Sequence, residues 1–232
     1  MRAHDWINRP PDLSIGVDGT HTAVATSQCR KSVLGRVGVT YGGTNMASNL
    51  KGKKIAFLAT DGFEQAELLE PRKAMDDAGA KTEVIAPKSG KIKGWNTKDW
   101  GEEVKVDTTL EDANPHDYDG LVLPGGVINP DHLRMDPSAV NFVRQFVSTG
   151  KTVGAICHGP WTLLEAGALR GKTVTSWPSL KTDLKNAGAN WVDGEVVIDG
   201  QFITSRKPDD IPAFNKAVIE SVEHGPRRRE AA

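Results

Sequence analysis

The feature that most restricts this chain is an alternation. Between residues 54 and 222, short apolar runs bounded by Gly, Pro, Asn and Asp take turns with stretches of helical spacing. The runs at 55–59, 82–86, 120–123 and 152–156 read as buried strands. The stretches at 63–77, 137–149, about 158–166, 178–186 and 211–222 read as helices. Gly79 stands where the first helix should stop, Pro137 where the second should start and Gly150 just past its end. Val174-Thr175 is strand-like, and short strands at 191–198 and 202–204 flank Asp199-Gly200, a hairpin signal. Residues 88–103 are polar, carry Trp95 and Trp100, and read as a loop or short hairpin. Strands that alternate with helices form βαβ units. The expected fold is therefore α/β, a single domain with a mostly parallel sheet sandwiched by helices. In such sheets reactive groups gather beyond the carboxyl ends of the strands. Three stretches qualify: 60–62, 124–131 and 157–158.

Residues 1–50 lack this alternation. They are rich in Gly, Ser, Thr and Asn, and Pro10-Pro11 stands near the start. They read as an N-terminal extension, either flexible or produced by a start placed ahead of Met46, with no chemistry of its own. The domain is expected over 51–224 and a tail over 225–232. The 232 residues hold two cysteines, Cys29 and Cys157, too few for a disulfide framework and not spaced for zinc. A formal net charge of -1, with no basic stripe interleaved with aromatics, argues against a nucleic-acid partner. The Arg227-Arg228-Arg229 run reads as a solvated tail. No apolar run reaches membrane-spanning length and no signal-peptide core is present, so the expected setting is the cytoplasm, with no membrane partner.

The chemistry concentrates in Thr152-Val-Gly-Ala-Ile-Cys-His-Gly159, an apolar strand running into Cys157 with a helix expected at once. Such a turn has the mechanics of a nucleophile elbow. A helix N-terminus behind the sulfur would lower the thiol pKa. The competing reading is a small buried hydrophobe at a strand end. His158 follows directly, and the divergence of adjacent side chains makes a direct Cys–His bond awkward. Asp131 is a candidate by chemistry to orient the imidazole. Glu64 and Glu67 favour the positive end of their helix. Glu67, beside Ala66, Leu68 and Leu69, is also placed to have a raised pKa and to shuttle a proton. Gly125 and Gly126 allow close backbone approach, so the amides of Gly126 and His158 are oxyanion-hole candidates.

Four segments together resemble the PfpI branch of the DJ-one/PfpI superfamily: Gly62-Phe-Glu-Gln-Ala-Glu67, Leu121-Val-Leu-Pro-Gly-Gly126, Ala155-Ile-Cys-His-Gly-Pro160 and Thr204-Ser-Arg-Lys-Pro208. The resemblance implies a flavodoxin-like fold of the class I glutamine amidotransferase type over about 54–222. It implies Cys157 as nucleophile, Glu67 bonded to its sulfur, His158 as the neighbouring histidine, and an oxyanion hole from Gly126 and His158. Asp131 stands where the family has an acidic residue that reaches the histidine of a neighbouring subunit. The implied assembly is a homo-oligomer, a dimer or a dimer-based hexamer.

The activities implied are cysteine peptidase, glyoxalase and protein deglycase, with no cofactor and no metal. Glutaminase chemistry is disfavoured, because the sole histidine after His158 is His224, at the tail. Aldehyde chemistry fits better than proteolysis: a thiolate adds to a dicarbonyl and Glu67 moves a proton between adjacent carbons. The expected substrate is a small aldehyde or a glycated protein. The alternatives are a peptidase and a redox-sensing stress protein or holdase.

Overall fold

The computed structural model describes residues 49–226. The expectations for residues 1–48, with Met46 and Cys29, and for the terminal arginine run lie outside them. The strands are β1 (Lys54–Leu58), β2 (Phe63–Glu64), β3 (Lys81–Ala86), β4 (Lys91–Asn96), β5 (Asp99–Lys105), β6 (Thr108–Thr109), β7 (Gly120–Leu123), β8 (Thr152–Ile156), β9 (Thr173–Val174), β10 (Asn190–Trp191), β11 (Val196–Asp199) and β12 (Phe202–Ser205). The helices are α1 (Gln65–Asp77), α2 (Ile128–Met135), α3 (Pro137–Ser148), α4 (Pro160–Glu165), α5 (Lys181–Asn186) and α6 (Ile211–His224).

Seven strands form the main sheet in the order β11-β12-β8-β7-β1-β3-β6. Every neighbouring pair is parallel except β11 with β12, which the Gly200 turn joins as a hairpin. Gly200 has φ 62, a conformation such tight turns require and glycine adopts freely. Both faces of the sheet are covered, which is why β7, β8 and β12 are buried at every position. Alternate residues feed two cores. Ala56, Leu58, Leu121, Leu123, Val153 and Ala155 pack with Leu133, Phe142, Val143, Phe146 and Leu163. Ile55, Phe57, Val122, Ile156 and Ile203 pack with Leu68, Met75, Phe214, Val218 and Val222. Each fully buried side chain of this size stabilises the fold by about 1.5–3 kcal/mol, set against roughly 1–2 kcal/mol per residue for fixing the backbone.

The helix ends follow the sequence signals. Gly79 (φ 95) donates to Asp76 O at 2.9 Å and Ala80 to Met75 O at 3.0 Å, the paired bonds of a Schellman stop. Asp136 caps α3, its side chain accepting from Ser138 N at 2.8 Å and Ala139 N at 3.3 Å. No described helix is long and apolar enough to cross a membrane.

The structure corrects several boundaries. The expected helix over 63–77 starts only at Gln65, because Phe63 and Glu64 pair with β4. The 88–103 segment is a true hairpin, with Trp95 meeting Trp100 edge-on at 5.6 Å between ring centroids. The second half of the expected 124–131 loop belongs to α2. Pro130 hides that helix in the sequence, yet in a first turn its missing N–H has no partner to lose. The helix after Cys157 begins at Pro160, not at His158. Leu50, expected in the extension, is fully buried and donates to Ala78 O at 2.7 Å.

Candidate active site

Strand β8 delivers Cys157 to the carboxyl edge of the sheet. The residue takes φ 60, a left-handed conformation that costs an L-residue about 1–2 kcal/mol. Bonds on both sides of the turn hold it there. Its N–H donates to Ser205 O on β12 at 3.1 Å, its carbonyl accepts from Trp177 N at 2.9 Å, and Gly159 N donates to Ile156 O at 2.8 Å. A Cβ on Gly159 would stand 2.9 Å from Ile156 O and closer still to Leu123 O, so the turn admits glycine alone.

Helix α1 brings Glu67 under the sulfur. The side chain is fully buried, and its Oε2 accepts from Gly125 N at 2.8 Å. Oε1 has no hydrogen-bond partner among the described residues by ordinary geometry, and the carboxyl lies against the Cys157 thiol. Gly125 makes this approach possible, since a Cβ there would lie 2.6 Å from Glu67 Oε2 and 2.7 Å from Cys157 Cβ. Asn129 fixes the same turn, accepting from Thr60 N at 2.8 Å and donating to Pro124 O at 3.0 Å and Gly125 O at 3.1 Å. Burial pushes the Glu67 carboxyl up to about 8, against the opposing bonds from the Gly125 amide and the thiol.

The thiol departs from the sequence expectation. Burial and the adjacent Glu67 carboxylate push Cys157 up rather than down. The expected helix-end effect is weak because α4 is only six residues long and starts beyond His158. The amides of Gly126 and His158 beside the sulfur act in the opposite direction. Two negative charges in contact are disfavoured, so the pair carries at most one. A protonated Glu67 beside a thiolate satisfies that requirement.

His158 is also buried, with 7% of its surface exposed. Its Nδ1 lies 3.2 Å from Cys157 Sγ, so the contact judged awkward from the sequence is made. The left-handed turn at Cys157 interrupts strand alternation and lets the adjacent side chains meet. Nε2 lies 3.3 Å from Ser179 Oγ. Trp177 stacks on the ring at 6.1 Å and Trp161 meets it edge-on at 5.3 Å. Burial lowers the ring to about 4, so the imidazole is neutral at physiological pH. Asp131 stands exposed on α2 and is not among the partners of His158.

A pocket of about 340 Å³ opens onto Cys157 and His158, walled by Trp95, Thr97, Val127 and Trp177, with Glu64 beside it. Trp95 and Thr97 come from the β4–β5 hairpin. Burial raises the Glu64 carboxyl, with the Ala66 amide opposing. Among the described residues no three His, Cys, Asp or Glu side chains stand together as metal ligands do. The sequence motif at 204–208 supports the site indirectly. Ser205 holds the Cys157 amide, Pro208 lines the pocket, and Arg206 bonds Asp210 at 2.8 Å and Asp193 at 2.7 Å as a brace. Trp177 and Ser179 escaped sequence reasoning, since Pro178 marks a turn without showing where that turn docks.

Known proteins similar to this chain cover nearly all of the described residues. General stress protein 18 of Bacillus subtilis is 46% identical over 74% of this chain and 99% of its own length. YraA of the same organism, provisionally named a cysteine protease, is 44% identical over 71% of this chain and 95% of its own. Deglycase PH1704 of Pyrococcus horikoshii is 41% identical over 72% of this chain and 98% of its own. Among solved structures, a two-domain protein of Anabaena variabilis with DJ-1/ThiJ/PfpI-like and ferritin-like domains matches with a TM-score of 0.70 and 34% identity. That match covers 77% of this chain and about half, 52%, of the two-domain protein. The family model described as DJ-1/PfpI matches residues 53–221, and with the elbow cysteine and buried glutamate in place the chain belongs to the DJ-1/PfpI family.

Proposed function

We propose that this protein is a cysteine-dependent enzyme acting on reactive 2-oxoaldehydes or on the adducts they form with proteins. The observation that carries the reading is the Cys157–Glu67 contact: a nucleophile at an open pocket with a buried, readily protonated carboxyl against its sulfur. The thiolate adds to the aldehyde carbon, and the new oxyanion takes the amides of Gly126 and His158. Glu67 gives its proton to that oxyanion. The carboxylate so formed removes the proton from the same carbon and returns it to the neighbouring carbonyl carbon while the hydroxyl proton passes to the carbonyl oxygen, leaving a thioester of the 2-hydroxy acid. Water cleaves the thioester, so dicarbonyl plus water becomes hydroxy acid with no external oxidant or reductant. Early glycation adducts release the same aldehyde and drain through the same site. The names of two relatives, a stress protein and a deglycase, support this direction.

One observation favours a peptidase, the 3.2 Å contact between Sγ and Nδ1. Its weakness is basicity. A ring held at about 4 is a poor acceptor for the thiol proton and a poor reservoir for protonating an amine leaving group. The deciding experiment is lactate formation from methylglyoxal without glutathione. Turnover by wild type, lost in Cys157→Ala and in Glu67→Gln, is expected. Undiminished turnover in both variants would sink the reading, and peptide hydrolysis dependent on His158 would replace it.

The homo-oligomer implied by the resemblance belongs to the same proposal. Val127 at the N-cap of α2 and Met135 at its end are exposed, with the exposed Asp131 between them at i+4 spacing, two apolar side chains flanking a carboxylate beside the pocket on a face that suits a second copy. Light scattering that returned a monomer at micromolar concentration would remove it.

A further inference from the structure

We propose that Ser179 is a positioning residue: its hydroxyl donates to Nε2 of His158, holds the ring in the Nδ1–H tautomer, and so aims a third N–H at the Cys157 sulfur. The proposal rests on the reading of Cys157 as nucleophile. Its first support is the chain of contacts, Ser179 Oγ to Nε2 at 3.3 Å and Nδ1 to Sγ at 3.2 Å. A neutral imidazole has one N–H, and the partner at one nitrogen decides what the other presents. The sulfur supplies the direction. In the thiolate form that acts as nucleophile it faces the amides of Gly126 and His158, donors that favour the anion. A third donor from Nδ1 continues that pattern, whereas a bare Nδ1 lone pair would face the charge. Nε2 then needs a donor, and the hydroxyl provides one.

The segment that carries Ser179 is fixed to the elbow itself. Trp177 N donates to the Cys157 carbonyl at 2.9 Å, and Leu180 N donates to Trp177 O at 3.1 Å, forming a tight turn with Ser179 inside it. Trp177 lies along the ring face at an interplanar angle of 25° and limits its rotation. The charged groups around the pair are accounted for. Glu67 and Glu64 approach from the α1 side of the sulfur. Arg134 lies over Trp161, and Asp183 accepts from the Trp161 indole at 3.0 Å, so both engage the tryptophan instead of the ring.

The test compares Ser179→Thr, which keeps the hydroxyl, with Ser179→Val, which has the same shape without it. Full-length protein carrying ¹⁵N-histidine is examined by NMR, with the His158 signals identified by their loss in His158→Gln. Wild type and Ser179→Thr are expected to show the proton on Nδ1, and Ser179→Val to shift it toward Nε2. Alkylation of Cys157 by iodoacetamide across pH, resolved from Cys29 by peptide mass spectrometry, is expected to slow about 3- to 10-fold at pH 7 in Ser179→Val, the worth of one hydrogen bond. Ser179→Thr should stay within about twofold of wild type. Equal behaviour of the two variants, or a wild-type proton on Nε2, overturns the proposal. So does a changed tautomer in Asp131→Asn, which would give Nε2 to a neighbouring subunit's carboxylate. No substrate enters these measurements, so failure of the aldehyde reading leaves them interpretable.

Discussion

Glu67 and Glu83 are both buried against the main sheet, and their surroundings are opposite. Glu83, with Lys54 and Lys81 at the starts of β1 and β3, is surrounded by donors: Lys54 at 2.9 Å, Lys81 at 2.8 Å and the Tyr118 hydroxyl at 2.9 Å. Burial alone would raise it, but the bonds from Lys81, Lys54 and Tyr118 outweigh that and hold its carboxyl at about 2. Glu67, at the carboxyl end, has one amide, a thiol and no cation, and sits at about 8. Backbone strain divides the same way. The two non-glycine residues with positive φ among those described, Thr97 and Cys157, both line the pocket. One end of the sheet is built for stability, and the other holds tension that the fold supports from elsewhere.

The largest expected effect breaks the pocket end. Cys157→Ala and Glu67→Gln should each lower kcat/KM for methylglyoxal by on the order of 10³-fold or more, with circular dichroism unchanged. The next tests the opposite end. Glu83→Gln should cost about 2–3 kcal/mol in urea unfolding at pH 7 with little change in turnover, because it leaves Lys54 and Tyr118 without their anion. The Glu83 contribution is present above the ordinary carboxylate range and is lost as pH falls through about 2. The difference between wild type and variant should therefore shrink in strong acid.

Glu67 should show the reverse pH dependence. Its folded pKa lies above the unfolded value, so its favourable contribution is complete below 4.5 and is lost as pH rises through about 8. Thermal melts of wild type should fall relative to Glu67→Gln across that window, by at most about 1.4 kcal/mol per pH unit. Parallel curves would mean that Glu67 titrates normally and that the two glutamates are not opposites. The smallest effect is expected at Thr97→Asn. Asparagine tolerates the left-handed region better than threonine, so stability should rise by about 0.5–1 kcal/mol while turnover stays near wild type. A large loss of turnover would show that Thr97 contributes more than strain.

The sequence made the interior of the sheet plain, because parallel strands buried on both faces are continuous apolar runs. Strands β7 and β8 fall where their runs predict. The turn at Cys157 is legible for a related reason: the apolar run of β8 stops at Cys157, and His158-Gly159-Pro160 follows, which marks a turn, although a buried cysteine at a strand end reads the same way. What could not be read depends on partners distant in the chain. Phe63 and Glu64 look helical until β4 pairs with them, and α2 is hidden behind Asn129-Pro130. The thiol's direction runs against its local cue, the helix end, because the assembled sheet imposes a burial that no local cue carries. Ser179 lies well downstream of His158, and no periodicity ties a turn residue to an imidazole.

The bond from the Cys157 amide to Ser205 on β12 has a consequence for how the protein is made. Strand β12 belongs to the last part of the main sheet to leave the ribosome, just before α6. Until it docks beside β8, the cysteine's N–H lacks its strand partner, and the left-handed turn is held on one side alone, by the Trp177 and Gly159 amides. The turn at Cys157 is thus among the last features to take its full set of bonds during synthesis, when most of the residues that wall the pocket are already in the emerged chain. A nascent chain halted before residue 202 carries Cys157 in its sequence without the strand bond that completes its turn.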